Sequence, residues 1–124
     1  MPVYAAVALG GALGALARYG LDRFIERRSF AVFPWSTFTI NASGCLLIGI
    51  VIAALVDRHH TPLWLRIGLV MGVLGGYTTF STFAQETLEL IEEGDPGVAI
   101  LYGVGSVVAG VLGVLVGMKV GRAL

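Results

Sequence analysis

The sequence predicts an all-α integral membrane protein of four transmembrane helices, the third broken near residues 75–79. Three observations carry this expectation. Of 124 residues, 56% are hydrophobic and 13% charged, and the mean hydropathy is +0.87. Eight acidic and eight basic residues cannot furnish the polar surface that a soluble domain of this length requires. Four apolar stretches are each long enough to cross a hydrocarbon core of about 30 Å, which takes roughly 20 residues of helix. Eighteen glycines would weaken soluble helices but suit membrane helices that approach backbone to backbone.

The spans run over about residues 3–21, 35–56, 63–91 and 98–120. The first opens on MPVYAAVALG, with neither a basic leader nor a clear cleavage site, and reads as a retained span. Charged or turn-rich pieces separate the spans at 22–34, 57–62 and 92–97. In the last of these, EEGDPG, Gly94, Pro96 and Gly97 all break helices. Tyr4, Tyr19, Phe33, Trp35, Trp64 and Tyr102 fall near the expected membrane interfaces. His59 and His60 sit in a short loop and read as solvated residues, not ligands. No repeat or second domain is evident, so residues 1–124 read as a single four-span membrane domain. The net charge is zero and no basic stripe exists, which excludes nucleic acid as a partner. The one cysteine, Cys45, lies in an apolar run and can build neither a disulfide framework nor a thiolate cluster.

The third span carries the strongest local signal. Its segment 75–83 reads GGYTTFSTF, and paired glycines followed by paired threonines disfavour continuous helix. A break frees carbonyls at membrane depth, which must then meet protein, water or an ion. The alternative is a glycine kink whose threonines bond back to carbonyls one turn earlier. If helix resumes after the break, Phe80 and Phe83 lie together, about 4.5 Å apart along the axis. Thr78, Ser81, Thr82 and Gln85 then fall on roughly the opposite face.

Neighbouring spans add matching donors. Thr37 and Asn41 share a face of the second span, and Tyr102 and Ser106 share a face of the fourth. The sequence places no carboxylate at that depth, since Glu86 and Glu89 lie nearer the end of the third span. A path of neutral donors suits a small anion, which acidic rings would repel. Arg18, near the end of the first span, either adds positive potential at a mouth or snorkels to headgroups. Lysine and arginine are balanced. Arg58, Arg66, Lys119 and Arg122 lie on one side, and Arg18, Arg23, Arg27 and Arg28 on the other. Either one placed charge decides orientation, or the protein inserts both ways and pairs with its inverted copy.

Three pieces of the chain match a known family: GGALGALARY at 10–19, NASGCLLIG at 41–49 and, most specifically, GGYTTFSTF at 75–83. Over nearly its whole length the chain resembles the CrcB/Fluc family of small fluoride channels. The resemblance implies an antiparallel, dual-topology homodimer with two pores in a cell membrane, the bacterial inner membrane. It implies that Asn41, Phe80 and Phe83 line the fluoride path, the ring edges facing the ion. The hydroxyls of Ser81, Thr82 and Ser106, with Tyr102, would form a polar track alongside, and Thr37 would stand beside Asn41. It further implies a structural sodium ion at the dimer centre, held by the backbone carbonyls of Gly75 and Thr78. The activity implied is passive export that protects the cell from fluoride, without enzyme chemistry. Two rivals are a proton-coupled multidrug exporter and a non-transporting assembly subunit. The first needs a titratable residue deep in the bundle, and the first two spans offer no acidic residue. The second would use small-residue series such as Gly113, Gly117 and Gly121 for helix contact.

Overall fold

The computed structural model describes residues 2–58 and 60–124; His59 lies outside the described residues, and His60 is exposed in its loop. The chain is helical throughout its long elements. Helix α1 spans Val3–Glu26 and α2 spans Trp35–Val56, the last turn of α2, Ile52–Val56, widening to π geometry. Helix α3 covers residues 63–77, with a second π segment at Gly68–Leu74. After the break come α4, Phe80–Glu92, and α5, Pro96–Ala123. Val3–Glu26, Trp35–Val56, Leu63–Glu92 and Pro96–Ala123 are each long and apolar enough to cross a membrane. The protein is therefore a multi-pass membrane protein.

Helix starts follow from proline. All four prolines stand at one: Pro2, Pro34 and Pro62 immediately precede α1, α2 and α3, and Pro96 is the first residue of α5. The first N–H groups of a helix have no intrahelical partner, so proline's missing donor is harmless there. Helix α4 stops at Gly94, the one glycine with positive φ (88°) among the described residues. The Asp95 N–H donates to Leu90 O at 2.8 Å and the Gly94 N–H to Ile91 O at 3.2 Å, closing the helix end as a Schellman motif.

Helix α1 is longer than the predicted first span and carries Asp22 and Arg23 within it. Two contacts account for the extension. The Ser36 hydroxyl, at the start of α2, donates to Asp22 Oδ1, and Arg28 Nη1 donates to the Phe24 carbonyl while its guanidinium lies over the Phe24 ring.

Glycine sets the helix spacing. A Cβ on Gly10 would stand 2.5 Å from the Gly68 carbonyl oxygen, and one on Gly76 would stand 2.6 Å from the Gly11 carbonyl oxygen, so α1 and α3 touch through backbone. The Gly113, Gly117 and Gly121 series does the same for α5 against α2. A Cβ on Gly117 would lie 3.0 Å from Ile50 N and 3.1 Å from Gly49 Cα, atoms that cannot move away as a side chain can. Gly117→Ala is therefore expected to cost about 1–3 kcal/mol, read as a lower melting temperature and a smaller monodisperse fraction in detergent. Unchanged stability would show that the α2–α5 contact has slack.

Candidate functional site

The third span does break, at Thr78 and Thr79, which adopt extended backbone (φ/ψ −84°/159° and −149°/121°) between α3 and α4. Gly75 and Gly76 remain helical. The back-bonding alternative is also realised, because Thr78 Oγ1 donates to the Leu74 carbonyl at 2.9 Å. One feature therefore ends α3 and the other opens the chain.

Two diverted donors define the break chemically. In a continuous helix the Thr79 N–H would bond Gly75 O, and the Thr82 N–H would bond Thr78 O. Instead the Thr79 N–H donates to Asn41 Oδ1 at 2.9 Å, and the Thr82 N–H donates to Thr79 Oγ1 at 3.2 Å, capping α4. The carbonyls of Gly75 and Thr78 thus lose their helical partners. These are hard oxygen donors of the kind a small cation takes. The described residues contain no group of three His, Cys, Asp or Glu side chains able to hold a metal.

Asn41 makes a reciprocal pair with the break. Its Oδ1 accepts from the Thr79 N–H, and its Nδ2 donates to Thr79 O at 2.9 Å, as one strand would pair with another. The second N–H of that amide is left over. One turn along α2, Ser43 Oγ lies 2.8 Å from the Tyr77 hydroxyl, and Gly44 leaves the space that the Thr78 methyl and Tyr77 ring occupy. Residues 41–44 of α2 therefore grip the break on both sides. The chain's one asparagine, half-buried, was legible in the sequence as a residue in need of partners; the partner, Thr79, was not.

Phe80 and Phe83 do lie together, with ring centroids 5.8 Å apart. Phe80 is 79% exposed on the single chain, whereas Phe83 packs on Tyr102 at 5.0 Å. Of the hydroxyls expected on the other face, Thr82 is held by Thr79 and Ser81 is exposed. Ser106 Oγ is buried with no hydrogen-bond partner among the described residues. Gln85 faces outward and donates to Glu89.

Tyr102 is 0% exposed and sits in the core cluster with Leu90 and Ala99. One expectation is corrected: the polar track is not free of carboxylate. Glu86 Oε1 accepts from Thr37 Oγ1 at 2.8 Å, and Oε2 accepts from the Tyr102 hydroxyl at 2.6 Å. Glu86 follows Phe83 by three residues on α4, so the turn that buries Phe83 against α5 carries Glu86 inward with it. Its position near the span end in the sequence hid this. Thr37, predicted on Asn41's face, also lines a cavity of about 200 Å³ with Arg18, Asp22, Thr79 and Thr82. Arg18 thus borders the same cavity as Thr79 of the break.

Comparison with known proteins gives the family. Residues 5–118 match the family described as CrcB-like protein, Camphor Resistance (CrcB). A protein of Acidobacterium capsulatum named Fluoride-specific ion channel FluC is 47% identical over 98% of this chain and 97% of its own length. Proteins of the same name from Thermus thermophilus and Novosphingobium aromaticivorans are each 45% identical, covering 98% and 100% of this chain and 94% and 99% of their own lengths. With the match spanning all four helices and the break, the chain belongs to the CrcB-like family.

Proposed function

We propose that this protein is a fluoride-selective channel for passive export of fluoride across the cell membrane, protecting the cell from fluoride toxicity. The reading is carried by its likeness, over essentially the whole chain, to proteins named fluoride-specific ion channels. The geometry supports it. Fluoride is small and strongly hydrated, so a pore must replace water's donors one at a time without a fixed cation to trap the ion. The spare N–H of Asn41, the unpartnered hydroxyl of Ser106, the hydroxyls of Ser81 and Thr82 and the ring edges of Phe80 and Phe83 can do this. Thr37 and Tyr102 border the path with their hydroxyl protons engaged by Glu86, and Arg18 supplies positive potential at a vestibule. Conduction needs no covalent chemistry, and the protein is a channel, not an enzyme.

The functional unit is an antiparallel homodimer of a single membrane domain, in the inner membrane of a bacterium. Two things support this: the four-against-four balance of lysine and arginine, and the outward placement of Phe80 and Gly75 on one open side. Two copies meeting there would bring four freed carbonyl oxygens together, from Gly75 and Thr78 of each, and these fit a structural sodium ion. The ion would lock the broken helices to each other.

Two experiments test these statements. Liposomes holding the purified protein should release fluoride and retain chloride; equal release of both, or of neither, contradicts the function. For orientation, Cys45 is replaced and a single cysteine placed in the 92–97 loop. A membrane-impermeant thiol reagent should then label it from both faces of the membrane. Labelling from one face alone contradicts the antiparallel dimer.

A further inference from the structure

Phe33 stands where the buried hydroxyl and carboxylate network meets an open cavity. Residues 33–35 form an inverse γ-turn: the Trp35 N–H donates to Phe33 O at 2.8 Å across Pro34, whose φ/ψ is −76°/72°. Proline fixes φ for that turn in advance, and the Phe38 N–H then takes Pro34 O at 3.1 Å to start α2. Phe33 is thereby held rigidly two residues ahead of a membrane span, although it belongs to a loop.

The Phe33 ring is spent on Tyr102. It meets the Tyr102 ring edge-on, with centroids 5.4 Å apart and planes at 81°, and is itself braced by Trp35 at 4.5 Å and Phe38 at 5.5 Å. Phe83 closes on Tyr102 from α4 at 5.0 Å. Tyr102 is thus gripped by two aromatic rings, and the grip aims its hydroxyl at Glu86 Oε2. Phe33 also lines a cavity of about 350 Å³ whose wall carries four carboxylates, Glu26, Glu86, Glu89 and Glu93. It is the ring that touches both the fully buried tyrosine and this open space.

We propose that Phe33 is a positioning residue that holds Tyr102 on Glu86. The assignment rests on the fluoride-channel reading. Packing alone would ask only for an apolar side chain of similar volume. Holding a tyrosine ring at a fixed angle asks for a flat edge, which tyrosine retains and leucine lacks.

Two measurements test it in liposomes, each normalised to monodisperse protein. Phe33→Leu should lower initial fluoride efflux about tenfold, while Phe33→Tyr stays within about twofold of wild type. Efflux of Phe33→Leu within twofold of wild type, or equal losses in both variants, overturns the positioning role. If Phe33→Leu does not fold, Phe33→Met takes its place with the same two outcomes, since methionine also fills the space without a flat ring edge. A wild-type protein that passes no fluoride would remove the channel reading and this assignment with it. Wild-type efflux with insensitive Phe33 variants would remove this assignment alone.

Discussion

Asn41→Asp silences fluoride conduction while leaving the protein folded. The amide of Asn41 both accepts from and donates to the Thr79 backbone, and one of its N–H bonds is spare for a passing anion. A carboxylate keeps the acceptor but sets its second oxygen against the Thr79 carbonyl, two acceptors face to face. It also places a negative charge within a spanning helix, at a cost of about 2.5–3.5 kcal/mol on insertion scales. Separately, the fixed charge repels a passing anion, and an added barrier of about 2.7 kcal/mol would correspond to roughly a 100-fold loss of flux. The measurement is initial fluoride efflux per correctly assembled channel, with elution volume in detergent as the check on folding. Near-normal efflux would make Asn41 a packing residue.

The second large effect belongs to the phenylalanine pair, and the two positions separate two causes. Phe80 is 79% exposed on the single chain, so Phe80→Leu removes little intrachain packing and should change subunit stability by less than about 0.5 kcal/mol. Phe83 packs on Tyr102, so Phe83→Leu should cost about 1 kcal/mol as well. If the ring edges are ligands, both substitutions reduce efflux about tenfold or more, because leucine has no positive edge to offer. Methionine is the third arm; its polarizable thioether fills the same space without a ring. Wild-type efflux in both leucine variants would remove the rings from the mechanism.

The break was legible in the sequence because its cause is local. Paired glycines and threonines weaken helix wherever they occur, and the spacing of Phe80 and Phe83 follows from 3.6 residues per turn. The four spans were legible because length and hydropathy are also local properties. Tertiary partners were not. Glu86 is inward because the restart at Phe80 sets the phase of α4, and a shift of one residue would have pointed it at solvent. The full burial of Tyr102 was not legible, because it depends on rings from Phe33 and Phe83 on two other segments. Phe33 carried one available signal, the Phe-Pro-Trp step just before an apolar run, which marks a fixed turn. The Thr79 cap was open to the same reading, since Thr79 stands three residues ahead of Thr82 at a helix restart.

Glu86 gives the proton-coupled alternative its one foothold, because a half-buried carboxylate is what such an exporter needs and the sequence had placed none in the bundle. The central claim is uncoupled, selective fluoride conduction, and the reversal potential of the current through the reconstituted protein tests it most directly. Opposed gradients of fluoride and of pH are set across the bilayer, with chloride equal on both sides. The account predicts a fluoride current that reverses at the fluoride equilibrium potential and does not move when the pH gradient is inverted. A reversal potential that follows the proton gradient, or the absence of fluoride current from correctly assembled protein, would contradict it.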